Sequence, residues 1–143
     1  STQKIFCSGS LLKQSGFLRL WKQRFFVLDN NILKYYKHEK DLIENNGNCK
    51  IFILFASTTL TYTKISLVFK IVNQDPHEEI YLMADTKASL ENWILSLKQS
   101  ISRLYEQLKD GRRSLKVDNV KRSQTYDSID LRSTGGRDDS FGF

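Results

Sequence analysis

The sequence predicts a mainly β chain closed by one C-terminal α-helix. Three observations carry that expectation. Short apolar and aromatic runs separated by Gly, Asn and Asp fill residues 8–84. The apolar period lengthens to that of a helix from Thr86 onward, and after Gly111 no period survives.

Residues 8–14 form the first run, ended by Ser15-Gly16, and residues 20–28 the second, ended by Asp29-Asn30-Asn31. With the Tyr-rich run 32–37 that follows, this Asp/Asn cluster makes a hairpin, because Asn and Asp tolerate the left-handed turn conformation. Residues 38–48 are polar and read as a loop with Asn45-Asn46-Gly47 as its turn. Residues 50–55, 58–63 and 66–73 read as strands. A turn over 74–77 holds the one proline, and 79–84 is the last strand. The apolar residues Leu90, Trp93, Ile94, Leu97, Ile101, Leu104 and Leu108 then recur on one face of a helix. Asp85 or Thr86 is its N-cap and Lys109-Asp110-Gly111 its expected stop. A helix covering one end of an otherwise open sheet is physically sensible. Residues 110–143, rich in Ser, Arg and Asp, cannot bury enough surface to offset their ordering entropy and read as a disordered tail. The ordered unit is therefore expected over residues 7–109.

Composition excludes several classes of function. No apolar run approaches the roughly 20 residues that cross a bilayer, and Ser1-Thr2-Gln3-Lys4 does not read as a signal peptide. The absent initiating Met reads as a fragment of a larger parent. Cys7 and Cys49 lie far apart, and His38 and His77 are not placed to complete a zinc site, so reduced thiols and no metal or cofactor are expected. No Gly-rich phosphate loop, nucleophile elbow or paired carboxylates at helical spacing point to an enzyme.

The net charge of +6 is localised. Residues 1–40 carry eight Lys or Arg against Asp29 and Glu39, while the remainder is nearly balanced. An anionic partner is implied. Strand parity sharpens this, since alternate residues share a face. Lys22, Arg24, Phe26 and Leu28 lie on one face of the second strand, Gly9, Leu11 and Lys13 on one face of the first, and Leu33 and Tyr35 on one face of the third. If strands 1 and 2 are antiparallel, Lys13, Lys22 and Arg24 converge at the end bridged by residues 14–20. Converging cations repel and lose solvation unless an anion joins them. A multiply phosphorylated ligand fits: Arg24 offers a bidentate fork, Lys13 and Lys22 point charges, and Tyr35 a hydroxyl donor. Gly16 lets the loop backbone approach and present N–H groups. The plainer reading of these cations is a solvated strand edge that discourages aggregation.

The residues that carry this reading also resemble a known family. Gly9-Ser10-Leu11-Leu12-Lys13, Trp21-Lys22-Gln23-Arg24-Phe25-Phe26-Val27-Leu28 and Leu33-Lys34-Tyr35-Tyr36 resemble the first three strands of a pleckstrin homology (PH) domain. Leu67-Val68-Phe69-Lys70-Ile71 and Tyr81-Leu82-Met83-Ala84 resemble its sixth and seventh, and Trp93 its signature helix tryptophan. The resemblance implies a seven-stranded barrel or orthogonal sandwich capped by the helix. It further implies a phosphoinositide-binding module recruited from the cytoplasm to the cytosolic face of the plasma membrane or endomembranes. Lys13 followed by Lys22-Gln23-Arg24 resembles members that bind 3-phosphorylated inositides. Tyr35 aligns with a phosphate-contacting tyrosine, Arg19 lies in the headgroup loop, and Lys37 and Lys40 face the membrane. The connection 73–79 departs from that pattern: it is short and carries Asp75, Glu78 and Glu79, which offer little to phosphate.

Phe17 and Leu18 either insert between lipid headgroups or fold back on the barrel mouth. In the tail, Lys121-Arg122-Ser123-Gln124-Thr125 resembles a kinase substrate, and the tail is where a protein partner is expected. A nucleic-acid surface is not expected, because Phe25 and Tyr36 lie on the face opposite Lys22, Arg24 and Tyr35. The rival to lipid binding is a protein-interaction PH module with weak, non-selective affinity for anionic lipid.

Overall fold

A computed structural model describes residues 4–16, 18–44 and 47–115, with side chains as far as Gly111. Seven strands form one antiparallel sheet: β1 (Phe6–Gln14), β2 (Trp21–Asp29), β3 (Ile32–Tyr36), β4 (Lys50–Ile53), β5 (Thr59–Tyr62), β6 (Val68–Gln74) and β7 (His77–Met83). Their order across the sheet is β4-β3-β2-β1-β7-β6-β5. Two helices complete the chain, α1 (Glu39–Glu44) between β3 and β4, and α2 (Lys87–Leu115) after β7.

The β2–β3 hairpin turns where the Asp/Asn cluster predicted, with Asn30 in the left-handed region at φ 57°. Its amide donates to the Ile5 carbonyl, tying the hairpin to the start of β1. Between β1 and β7 the ladder is brief, pairing Leu12 with Met83 and Lys13 with Leu82. On the far side β4 and β5 are the sheet edges, and a buried asparagine of β6 joins β4 to the loop that leads into β5. Asn73 Nδ2 donates to the Ile53 carbonyl at 2.9 Å, and its Oδ1 accepts from the Thr58 hydroxyl. These polar contacts replace a ladder the two edges do not make with each other.

Alternating inward residues fill the barrel: Leu11 from β1, Phe26 and Leu28 from β2, Leu33 from β3, Phe69 and Ile71 from β6, Leu82 from β7. Helix α2 begins where Thr86 Oγ1 accepts from the Ser89 amide at 3.0 Å, a standard N-cap. Leu90, Trp93, Ile94 and Leu97 pack into the core, as their spacing predicted. Further along, the Ser100 hydroxyl donates to the Asn30 carbonyl, so α2 lies against the barrel end that carries the β2–β3 turn.

Two expectations are corrected. Residues 38–48 are not wholly a loop, since 39–44 form α1; a helix this short leaves no periodic signal, and it buries none of its residues. Nor does Gly111 stop α2, which continues to Leu115. One glycine costs about 1 kcal/mol in a helix interior, which weakens a helix without obliging it to end. Residues 110–115, read as tail, are thus helical. The tail segment 116–143, including Lys121–Thr125, lies outside the described residues, as do Phe17, Asn45 and Asn46.

Candidate functional site

The β1–β2 register brings the predicted cations together. Lys13 stands opposite Lys22 and Leu11 opposite Arg24, so the end of β1 and the start of β2 share one rim. Phe26 pairs with Tyr35 and Tyr35 with Lys50, which puts the end of β3 and the start of β4 at that same rim. The β1–β2 loop and α1 therefore both rise from the barrel end opposite Asn30 and Ser100.

Like charges directly across an antiparallel pair repel, and here one of them is buried: Lys13 is only 4% exposed. Its ammonium reaches the Gln14 carbonyl at 3.5 Å and sits 5.4 Å from the Tyr35 ring centroid, a cation–π placement. Tyr35 stacks on Phe26 at 5.0 Å, and Phe26 meets the edge of Trp93 at 6.5 Å. Gly9 presents no side chain where Trp93 crosses β1. A continuous aromatic column thus runs from the helix to the cation.

Arg24 is half-buried beneath the same rim. Burial pushes its guanidinium pKa below the ordinary value, and the nearby Tyr35 partly offsets this. Its Nη1 donates to the Gln23 carbonyl at 2.8 Å and its Nε is shielded from solvent. One end of the guanidinium is therefore tied to the protein's own backbone.

Ser15 organises the loop above. Its amide donates to the Leu20 carbonyl at 2.8 Å, its carbonyl accepts from the Arg19 amide, and its hydroxyl accepts from the Leu20 amide at 3.1 Å. Arg19 is held in the left-handed region at φ 56°, and its carbonyl accepts from Gln14 Nε2. The side chains of Arg19 and Leu18 are exposed. Lys37 and Lys40 are exposed beyond β3, on and next to α1.

A recess of about 280 Å³ opens beside this loop, lined by Lys13, Ser15, Gly16, Arg19, Glu79 and Tyr81 among others. The stretch 73–79, expected as an acidic loop, is not one: only Asp75 and Pro76 separate β6 from β7, and Glu78 and Glu79 lie within β7. Glu79 joins the recess, whereas Asp75 lies with Phe55, Tyr105 and Leu108 in a separate cleft of about 420 Å³. Sequence reasoning missed the part of Ser15, which reads only as a turn residue, and the apolar tip of α1, where Ile43 is 76% exposed. Leu42-Ile43 inside a polar stretch was the available signal for the latter.

Seven antiparallel strands, a helix against one end and a cationic mouth at the other define a helix-capped β-barrel module. The chain belongs to the PH domain family, whose sequence profile matches residues 5–102. It is 31% identical over 111 residues to the mouse "Dual adapter for phosphotyrosine and 3-phosphotyrosine and 3-phosphoinositide", covering 72% of this chain and 36% of that one. It is 34% identical over 103 residues to diacylglycerol kinase eta of Mesocricetus auratus, covering 71% of this chain and 8% of the kinase. The chain thus spans about a third of the adapter and under a tenth of the kinase. Among solved structures, the PH domain of human oxysterol binding protein-related protein 11 has the same fold, with TM-score 0.60 and 21% identity over 75% of this chain and 87% of that one. The C-terminal PH domain of pleckstrin in complex with D-myo-Ins(1,2,3,4,5)P5 aligns with TM-score 0.55 and 25% identity over 68% and 98%.

Proposed function

We propose that this PH domain binds a phosphoinositide headgroup, of the 3-phosphorylated class, at the mouth formed by Lys13, Lys22, Arg24 and Tyr35. Binding there recruits it peripherally to the cytosolic face of the plasma membrane or endomembranes. The observation that carries the reading is the opposition of Lys13 and Lys22 in register, with Arg24 one inward step deeper. Such an arrangement concentrates positive charge at one rim, where a multivalent anion can neutralise it. Arg24 supplies the bidentate fork, the two lysines supply point charges and the Tyr35 hydroxyl donates. Arg19, Lys37 and Lys40 form the outer rim, where they add electrostatic attraction to an anionic surface. The exposed Leu18 enters the lipid interface beside them. Support for the ligand class comes from a relative whose name couples it to 3-phosphoinositide and from the pleckstrin domain solved with an inositol pentakisphosphate.

The test is sedimentation with liposomes carrying one phosphoinositide at a time, against phosphatidylserine alone. Arg24→Ala is expected to weaken binding at least ~10-fold, as a charge-assisted bond of about 1.5–3 kcal/mol implies. Equal binding to phosphatidylserine liposomes, or no effect of Arg24→Ala and Lys13→Ala, would rule the reading out.

A further inference from the structure

We infer that Glu79 limits how many phosphates the headgroup can carry. The inference rests on the headgroup reading above and concerns the same site. Lys13 is the residue the mouth and the recess have in common. On the barrel side its ammonium lies over Tyr35, and its backbone pairs with Lys22. It also lines the recess of about 280 Å³ together with Arg19 and Glu79. A headgroup that fills only the mouth stays on the barrel side of Lys13. One with a further ring phosphate extends past Lys13 into the recess, where it meets a carboxylate.

That carboxylate is well placed to oppose an anion. The Glu79 side chain is 32% exposed, so solvent screens it only in part, and its Oε1 lies 3.6 Å from His77 Nε2. It projects from β7 opposite Val72 of β6, with no cation in that cross-strand pair to neutralise it. Lys13 and Arg19 attract a phosphate to the recess, and Glu79 works against them. Affinity gained from an extra phosphate is thereby cancelled, which favours headgroups with fewer phosphates. Such a device acts by repulsion, the usual way to separate ligands that share most of their contacts.

The experiment is calorimetry with soluble inositol 1,3,4-trisphosphate and inositol 1,3,4,5-tetrakisphosphate on wild type, Glu79→Gln, Arg24→Ala and the double variant. Glu79→Gln keeps the size and hydrogen-bonding capacity of a partly exposed side chain, and its unfolding midpoint is measured alongside. It is expected to raise affinity for the tetrakisphosphate about 10-fold, the scale of one charge–charge contact at a partly screened site, and for the trisphosphate about 3-fold or less. An equal change for both ligands, or none, overturns the role of Glu79 while leaving the headgroup reading intact. If Arg24→Ala binds both ligands as wild type does, the headgroup reading itself fails. If the double variant loses both ligands and Glu79→Gln shifts only the tetrakisphosphate, both stand.

Discussion

The ammonium of Lys13 lies 5.4 Å from the ring centroid of Tyr35, inside the rim of the barrel and directly across the ladder from Lys22. Like charges opposed across a ladder repel, and the proposed headgroup relieves that repulsion. Lys13→Met keeps the length and apolar stem while removing the charge. It is expected to lower headgroup affinity about 10-fold while leaving the thermal midpoint unchanged or raised. A fall in both, followed by circular dichroism and calorimetry, would show that Lys13 serves the fold instead.

Tyr35 carries two duties that separate by substitution. Tyr35→Phe keeps the stack on Phe26 at 5.0 Å and the face presented to Lys13, and removes only the hydroxyl. Its expected cost is a few-fold in headgroup affinity, about 0.5–1.5 kcal/mol for one hydrogen bond, with little change in stability. Tyr35→Ala also empties part of the core and is expected to lower stability by about 3 kcal/mol, read from urea unfolding.

Leu18, on the β1–β2 loop, is 61% exposed. If the loop enters the lipid interface, Leu18→Ser weakens binding to phosphoinositide vesicles several-fold and leaves soluble inositol phosphate binding as it was, because partial burial of one leucine contributes about 1 kcal/mol. Equal loss for vesicle and soluble ligand would mean that Leu18 folds back and shapes the mouth. Raising salt should weaken vesicle binding of both proteins, since the rim cations are screened and the leucine is not.

Asn73 stitches β6 to β4 and to the β4–β5 loop through Ile53 and Thr58. Asn73→Ala leaves a buried carbonyl and a buried hydroxyl short of partners where the sheet is open. The expected loss is about 2–3 kcal/mol, with headgroup affinity retained in the remaining folded protein. A loss below ~0.5 kcal/mol would show that the two edges are held by apolar packing alone.

Two groups couple stability to alkaline pH. Burial raises the Cys7 thiol pKa, with a hydrogen bond from Ser96 opposing it. Burial likewise raises the Tyr36 hydroxyl, reinforced by the charge and the hydrogen bond of Cys49. Both hold their protons more tightly folded than unfolded. Their contribution is fully present below the unfolded thiol value of about 8.5 and is lost as pH rises past it and then past the unfolded tyrosine value of about 10. Unfolding midpoints are expected to fall above pH 9 or so. At neutral pH Cys7 should resist alkylation until the protein unfolds, while the partly exposed Cys49 reacts first. Faster labelling of Cys7 in mass spectrometry would contradict its burial.

Local rules made most of this domain legible in its sequence. Two-residue alternation put Lys13, Lys22, Arg24 and Tyr35 on inward faces, because a strand allows no other arrangement once Leu11, Phe26 and Leu33 face the core. The steps among Leu90, Trp93, Ile94 and Leu97 marked the buried face of α2 for the same geometric reason. What those rules could not reach depends on contacts between segments distant in the chain. The burial of Lys13 follows from its register against Lys22 and its place over the Tyr35 ring. The separation of the acidic residues, with Asp75 sent to one cleft and Glu79 of β7 to the recess beside Lys13, follows from how β7 meets the β1–β2 loop. Helix α1 is too short to announce itself by period. The sequence alone determined which side chains face inward at the mouth, since backbone parity is a property of each strand. Only the tertiary structure decided which charges stand next to one another, since that is a property of strands meeting.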